Sequence, residues 1–291
     1  MPAATIEDPL APAHDAGRRD FIARTLGSGF AAAVLPVSAQ AQRTPSQGLV
    51  DGEVTIASGG FVLPAYRAQP AGRSGLPVVL VVSEIFGVHE HIADVARRLA
   101  HQGYLAIAPE LFARQGDPAN YGEIERLIAD VVSKAGDAQV LADLDACVAW
   151  AGANGGDTAR LAVTGFCWGG RITWLYAAHN PALKAGVAWY GRLAGAVTPL
   201  QPRNPLEVAR ELRAPVLGLY GGADAGIPVD TVDKMKSALS AGSPAARASE
   251  IVVYPDAPHA FHADYRPSYR PQPAQDGWRR CLGWLRTHGV A

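Results

Sequence analysis

The sequence predicts an α/β protein built on a mostly parallel central sheet with helices on both faces. Three observations carry that expectation. Residues 77–83, PVVLVVS, form an unbroken apolar and β-branched run, the pattern of a strand buried on both faces. Strand-like and helix-like segments alternate from about residue 49 to the C-terminus, with no internal repeat and no dividing linker. Gly165-Phe166-Cys167-Trp168-Gly169-Gly170 falls where a strand-like stretch gives way to a helix-like one. Such a turn presents one side chain at the rim of a sheet.

The elements follow in order. Residues 52–57 and 61–68 read as strands around the hairpin signal Ser58-Gly59-Gly60, and 77–83 as the first buried strand. Residues 89–102 have helical periodicity, with Ile92, Val95, Ala96 and Leu99 on one face and Gly103 as a stop. A strand is expected at 104–108, then a mobile segment over 117–136 with one helix near 124–133. An amphipathic helix over 138–154 leads to a strand at 160–164 and a helix from about 168 to 179. Strands at 185–189, 216–220 and 250–254 alternate with helices near 229–240 and 274–288.

The N-terminus reads differently. Gly17-Arg18-Arg19-Asp20-Phe21-Ile22 opens a modestly apolar stretch that ends in Ala39-Gln40-Ala41, an A-x-A cleavage pattern. Paired arginines before a weakly hydrophobic run resemble a twin-arginine export signal. The expectation is a signal peptide over 1–41 that engages the twin-arginine export machinery. Cleavage near Ala41 would leave one soluble domain over 42–291, periplasmic or secreted. The stretch is too short and too broken by Gly27, Gly29 and Pro36 to span a bilayer, and no other segment is apolar enough for membrane insertion. Of 291 residues, 48% are hydrophobic and 18% charged, which excludes disorder for most of the chain. Without the three arginines and four acids of the first 41 residues the chain is formally neutral, so nothing points to nucleic acid. Three cysteines exclude a disulfide scaffold.

The chemistry gathers at strand ends. Gly165–Gly170 is a nucleophile elbow, G-x-S-x-G with cysteine in place of serine, and it sets Cys167 at a helix N-terminus whose dipole favours thiolate. The order of the α/β-hydrolase fold is nucleophile, acid, histidine. Downstream, 216–220 runs into Gly221-Gly222-Ala223-Asp224, and 250–254 runs into Pro255-Asp256-Ala257-Pro258-His259. Asp224 and His259 thus stand where an orienting acid and a base belong, with Asp256 as a competing acid.

These residues, with Ser83-Glu84-Ile85-Phe86-Gly87-Val88, Pro109-Glu110-Leu111-Phe112, Tyr190-Gly191 and His259-Ala260-Phe261, are similar to the dienelactone hydrolase family, the carboxymethylenebutenolidases. The likeness spans roughly residue 49 to the C-terminus. It implies Cys167 as nucleophile, His259 as base and Asp224 as its orienter. It implies that Glu84 pairs with the resting thiol and takes its proton when substrate binds. It implies an oxyanion hole from the backbone N–H groups of Trp168 and Ile85, a small-molecule ester or lactone as substrate, an acyl-thioester intermediate, and no metal or organic cofactor. The same site would serve other esters, thioesters, amides or acyl transfer, and a site without catalysis would make a ligand-binding protein.

One departure concerns the substrate. The family's best-known members carry an arginine four residues after the catalytic histidine, where this chain has Ala263. Arg266 or Arg270 is the candidate for an anionic substrate, and Phe86, Tyr190, Trp168 and His262 are candidate pocket walls. His89-Glu90-His91 lacks the i, i+4 spacing that puts two metal ligands on one helix face. Cys147 and Cys281 lie in apolar helix faces and read as buried thiols.

Overall fold

A computed structural model describes residues 43–291; the expected export signal lies outside the described residues. Eight strands make one sheet in the spatial order β1-β2-β4-β3-β5-β6-β7-β8. They are β1 (Leu49–Ser58), β2 (Phe61–Pro70), β3 (Leu76–Val82), β4 (Leu105–Pro109), β5 (Gly156–Phe166), β6 (Ala185–Trp189), β7 (Val216–Gly221) and β8 (Glu250–Tyr254). β1 pairs antiparallel with β2, and β2 with β4; every later pairing is parallel. All seven residues of β3 are buried, as an unbroken apolar run in mid-sheet requires.

The helices are α1 (Glu90–His101), α2 (Ile124–Asp130), α3 (Asp137–Ala153), α4 (Trp168–His179), α5 (Pro205–Val208), α6 (Val229–Ser240), α7 (Pro244–Arg247) and α8 (Pro271–Thr287). α1 packs on β2 and β4, α3 on β5, α4 on β5 and β6, and α8 on β6 and β7. Arg171, one turn into α4, makes a bidentate pair with Asp137 at the start of α3 (2.6 and 2.8 Å) and donates to the Arg203 carbonyl (2.8 Å). This buried fork fixes the helix that carries Cys167 at its head.

Some boundaries differ from the expectation. The segment 117–136 holds α2, which ends at Asp130, followed by a separate 3-10 turn over Val132–Lys134. β5 begins four residues before the expected start, because Gly156 and Asp157 pair with Leu76 and Pro77 ahead of a register shift. The short helices α5 and α7 were not expected. Each is set by its cap: Asn204 and Glu207 form a capping box, and Ser243 accepts from the Ala246 N–H ahead of Pro244.

Parallel pairing brings the carboxyl ends of β3, β5, β6, β7 and β8 to one rim. Glu84, Cys167, Tyr190, Asp224 and His259 each follow one of those ends within five residues. Crevices at this rim are where α/β sheets bind ligands.

Candidate active site

Cys167 joins β5 to α4 at φ 53° and ψ −112°. That is glycine's territory, close to the first central position of a type II′ turn. A non-glycine residue persists there only when its surroundings over-determine it. The surroundings do: an added Cβ on Gly169 would stand 2.2 Å from the Val82 carbonyl oxygen, and one on Gly165 would stand 2.1 Å from the Gly169 oxygen. The elbow therefore seats directly on the end of β3. Among the described residues, the other non-glycine residues at positive φ are Tyr190 (40°) and Ala260 (58°). Both adjoin the same rim, so backbone strain is concentrated where the candidate residues meet.

His259 and Asp224 are joined, Nδ1 to Oδ2, at 2.7 Å. The other Asp224 oxygen accepts the Gly226 N–H at 2.8 Å. The two loops are laced together by the backbone, with the Ala223 N–H donating to Ala257 (3.1 Å) and Gly222 to Tyr254 (2.8 Å). Burial opposes charge on His259, but hydrogen bonding to Asp224 and to Cys167 outweighs it and pushes its pKa up from 6.5 to about 10. Tyr190, fully buried, meets the His259 ring edge-on with centroids 5.1 Å apart. Asp256, the competing acid, is exposed on the turn after β8 and has no hydrogen bond to His259.

Glu84 is buried and takes a partner that the sequence did not assign to it. Its Oε2 lies 2.9 Å from His89 Nε2, while its Oε1 has no hydrogen-bond partner. The expected pairing with the Cys167 thiol is therefore not the one the structure holds. Burial opposes ionisation of Glu84, but the His89 hydrogen bond and the nearby His89, His91 and Arg266 bring its pKa down to about 2. Behind His89, His91 Nδ1 meets Asp264 Oδ1 at 3.1 Å, and Arg98 reaches the other Asp264 oxygen at 2.6 Å. Glu90 pairs with Arg97, so the three side chains of the His-Glu-His run point to three different partners. Residues 43–45 lie along the same helix, with the Thr44 N–H on Asp94 (2.5 Å) and Arg97 on the Thr44 carbonyl (3.0 Å).

The candidate pocket residues separate. Arg266 turns inward over Phe86, its guanidinium carbon 4.8 Å from the ring centroid, with Nε and Nη2 buried and unpartnered. Arg270 is exposed and donates to the Pro267 and Tyr269 carbonyls. His262 is no pocket wall: it is closed to solvent, lies 4.5 Å from Trp189 and 5.2 Å from Phe166 by ring centroids, and burial holds it neutral. Trp168 is nearly buried against Phe112, and its indole N–H has no partner. His89 and Tyr265 are the residues that sequence reasoning missed. The available clue was the five-residue step from Glu84 to His89, which only the fold converts into a contact.

The stability of this region depends on acid. Glu84, and Asp264 with its pKa also near 2, ionise more readily here than at their ordinary values of 4.5 and 3.8. The unfolded chain thus binds more protons at low pH. Their contribution is complete above about pH 4.5 and drains away as pH falls toward 2. We expect the urea midpoint to drop steeply across that interval, and Glu84→Gln to flatten part of the drop.

The eight-stranded sheet with an elbow, an acid and a histidine at the ends of β5, β7 and β8 defines an α/β hydrolase. Comparison with known proteins narrows this class. The Dienelactone hydrolase family matches residues 63–289. A protein of Methylorubrum extorquens named "Putative carboxymethylenebutenolidase" is 62% identical over 276 residues, covering 94% of each chain. One of the same name in Escherichia coli K12 is 55% identical over 269 residues, covering 92% of this chain and 98% of its own. The crystal structure of "Putative Dienelactone Hydrolase from Klebsiella pneumoniae" aligns with TM-score 0.80 at 58% identity, over 82% of this chain and 98% of that one. The chain belongs to the dienelactone hydrolase family, and it is a hydrolase of the carboxylic ester class.

Proposed function

We propose that this hydrolase opens a lactone or small activated ester through Cys167, Asp224 and His259. The observation that carries the proposal is the strained Cys167 elbow with a 2.7 Å His259–Asp224 pair beside it. The thiol proton passes to His259, and the thiolate attacks the substrate carbonyl carbon. The carbonyl electrons move to oxygen, where the N–H of Trp168, left without an acceptor as the first residue of α4, and the N–H of Ile85 receive the charge. The intermediate collapses, the leaving oxygen takes the proton from His259, and an acyl-thioester remains. His259, now neutral, accepts a proton from water, which attacks the thioester. Thiolate leaves, and the acid is released; from a lactone the product is a single hydroxy acid. Asp224 holds the imidazole tautomer and offsets the imidazolium charge. No proton is routed through Glu84, whose Oε2 is held by His89. We read residues 1–41 as the export address of this enzyme, on the sequence pattern alone.

We propose further that the substrate carries an anionic group bound by Arg266. Two buried, unpartnered guanidinium nitrogens on a ring-stacked arginine call for an acceptor. Arg266 lies one turn beyond Ala263, and its N–H donates to the Ala263 carbonyl at 3.0 Å, so this chain supplies an arginine from the next turn of the same loop. Arg266→Gln should raise KM for a carboxylate-bearing lactone about tenfold or more, with KM for a neutral ester of equal size changed less than about twofold. Equal effects on both substrates would remove Arg266 from substrate recognition.

A further inference from the structure

Glu84 is buried among titratable groups. His89, at the head of α1, contacts it directly, and within electrostatic reach lie His91 of α1, Tyr265, Arg266 and His262 of the loop after β8, and Tyr190 at the end of β6; Tyr190 and Tyr265 are in turn within electrostatic reach of Cys167 at the elbow. One hydrogen bond decides where the carboxylate rests. An ionised carboxylate only accepts, so the 2.9 Å contact has His89 Nε2–H as donor and Glu84 Oε2 as acceptor.

We propose that His89 is a positioning residue that anchors Glu84 away from the Cys167 thiol, so that in the resting enzyme the thiol proton passes to His259. Three observations support it. Glu84 Oε1, the oxygen left over for a thiol, has no hydrogen-bond partner. The His89 ring is held in place, edge-on to Tyr265 at 5.1 Å and stacked on His91 at 6.1 Å between centroids, and His91 is itself tied to Asp264. The helix does not account for the residue: His89 is the N-cap of α1, in extended conformation, and makes no side-chain cap bond. Asn, Asp, Ser or Thr would serve that position better. Its imidazole is spent on Glu84 instead. The consequence is a nucleophile armed before substrate arrives, with no prior movement of Glu84.

The inference rests on Cys167 being the nucleophile, and its test reads the thiol directly, without hydrolysis. The full chain is alkylated with iodoacetamide, without substrate, from roughly pH 5 to pH 9, and modification of Cys167 is followed by mass spectrometry. His89→Asn keeps a favoured N-cap residue but is too short to hold Glu84. It should slow alkylation at pH 7 about tenfold and move the half-maximal pH up by about one unit. His89→Gln, whose amide N–H reaches about as far as Nε2, should stay within about threefold of wild type. Glu84→Gln added to His89→Asn should abolish the shift, since no carboxylate is left to hold the proton. A purely structural histidine would lower the melting temperature and leave the profile in place. The proposal is overturned if the His89→Asn profile superimposes on wild type, or if its shift survives Glu84→Gln. Should His89→Asn fail to fold, Glu84→Gln alone decides. A change below about threefold is expected if Glu84 is already anchored away, and acceleration of about tenfold or more would show that Glu84 masks the thiol. Hydrolysis surviving in Cys167→Ala would instead overturn the nucleophile assignment, a separate failure.

Discussion

Cys167→Ala should lower kcat/KM for a lactone or aryl ester by at least about 10⁴-fold, the loss seen when a nucleophile that works as a unit with its base is removed. The informative companion is Cys167→Gly. It removes the same sulfur and should be equally inactive. At φ 53° and ψ −112°, however, glycine sits at no steric cost where cysteine is strained. Strain of this kind is worth about 1–3 kcal/mol, so Cys167→Gly should have a higher urea midpoint than Cys167→Ala and than wild type. The pair separates two properties of one position: the reactivity that the proposed mechanism draws from the sulfur, and the stability that holding it at the rim costs. Equal stability of the two variants would show that the elbow relaxes around alanine. Full activity of either would assign the nucleophile elsewhere.

Gly169→Ala should be among the most damaging single methyl additions in the chain, destabilising by about 3 kcal/mol or more. The new carbon would meet backbone at the end of β3 and just past it, 2.2 Å from the Val82 oxygen and 2.6 Å from the Ser83 oxygen. Backbone at a sheet's centre does not yield as a side chain would. The control is Gly283→Ala in α8, where an added Cβ has nothing within 4 Å. There alanine should stabilise by about 0.5–1 kcal/mol, because glycine in a helix interior loses more chain entropy on folding. One chemical change with opposite signs at two helical positions, measured by urea unfolding, tests whether the elbow is packed as tightly as described.

The parts of the molecule readable in the sequence are those whose cause is local. α4, β6, α6 and β8 lie within a residue of their expected bounds, because each is bracketed by a turn residue or a change of period. β5 begins ahead of its predicted start because Gly-Asp-Thr-Ala has no strand pattern of its own and is drawn into the sheet by β3. α5 and α7 span four residues each, too few for a helical period to show. At the site, Cys167, Asp224 and His259 are legible because parallel topology brings the ends of β5, β7 and β8 to one rim. His262, an expected pocket wall, is placed by a turn that sequence spacing does not state. The chain between them turns through Ala260 at φ 58°, and His262 ends up among Phe166 and Trp189. His89 was invisible as a partner of Glu84 because nothing in a five-residue spacing across a loop states which way either side chain turns.

The two remaining cysteines have a practical consequence. Cys147 and Cys281 are both fully buried, and burial alone pushes the Cys281 thiol up to about 12 and Cys147 higher still, with Asp143 adding to the latter. Neither can react until the surrounding structure opens. Their first modification is therefore a clock for unfolding: Cys147 reports the opening of α3 against β5, and Cys281 reports the lifting of α8 from β6 and β7. In a Cys167→Ala background the wild-type core carries its own two-channel gauge of local stability, readable by mass spectrometry without a dye or an engineered residue.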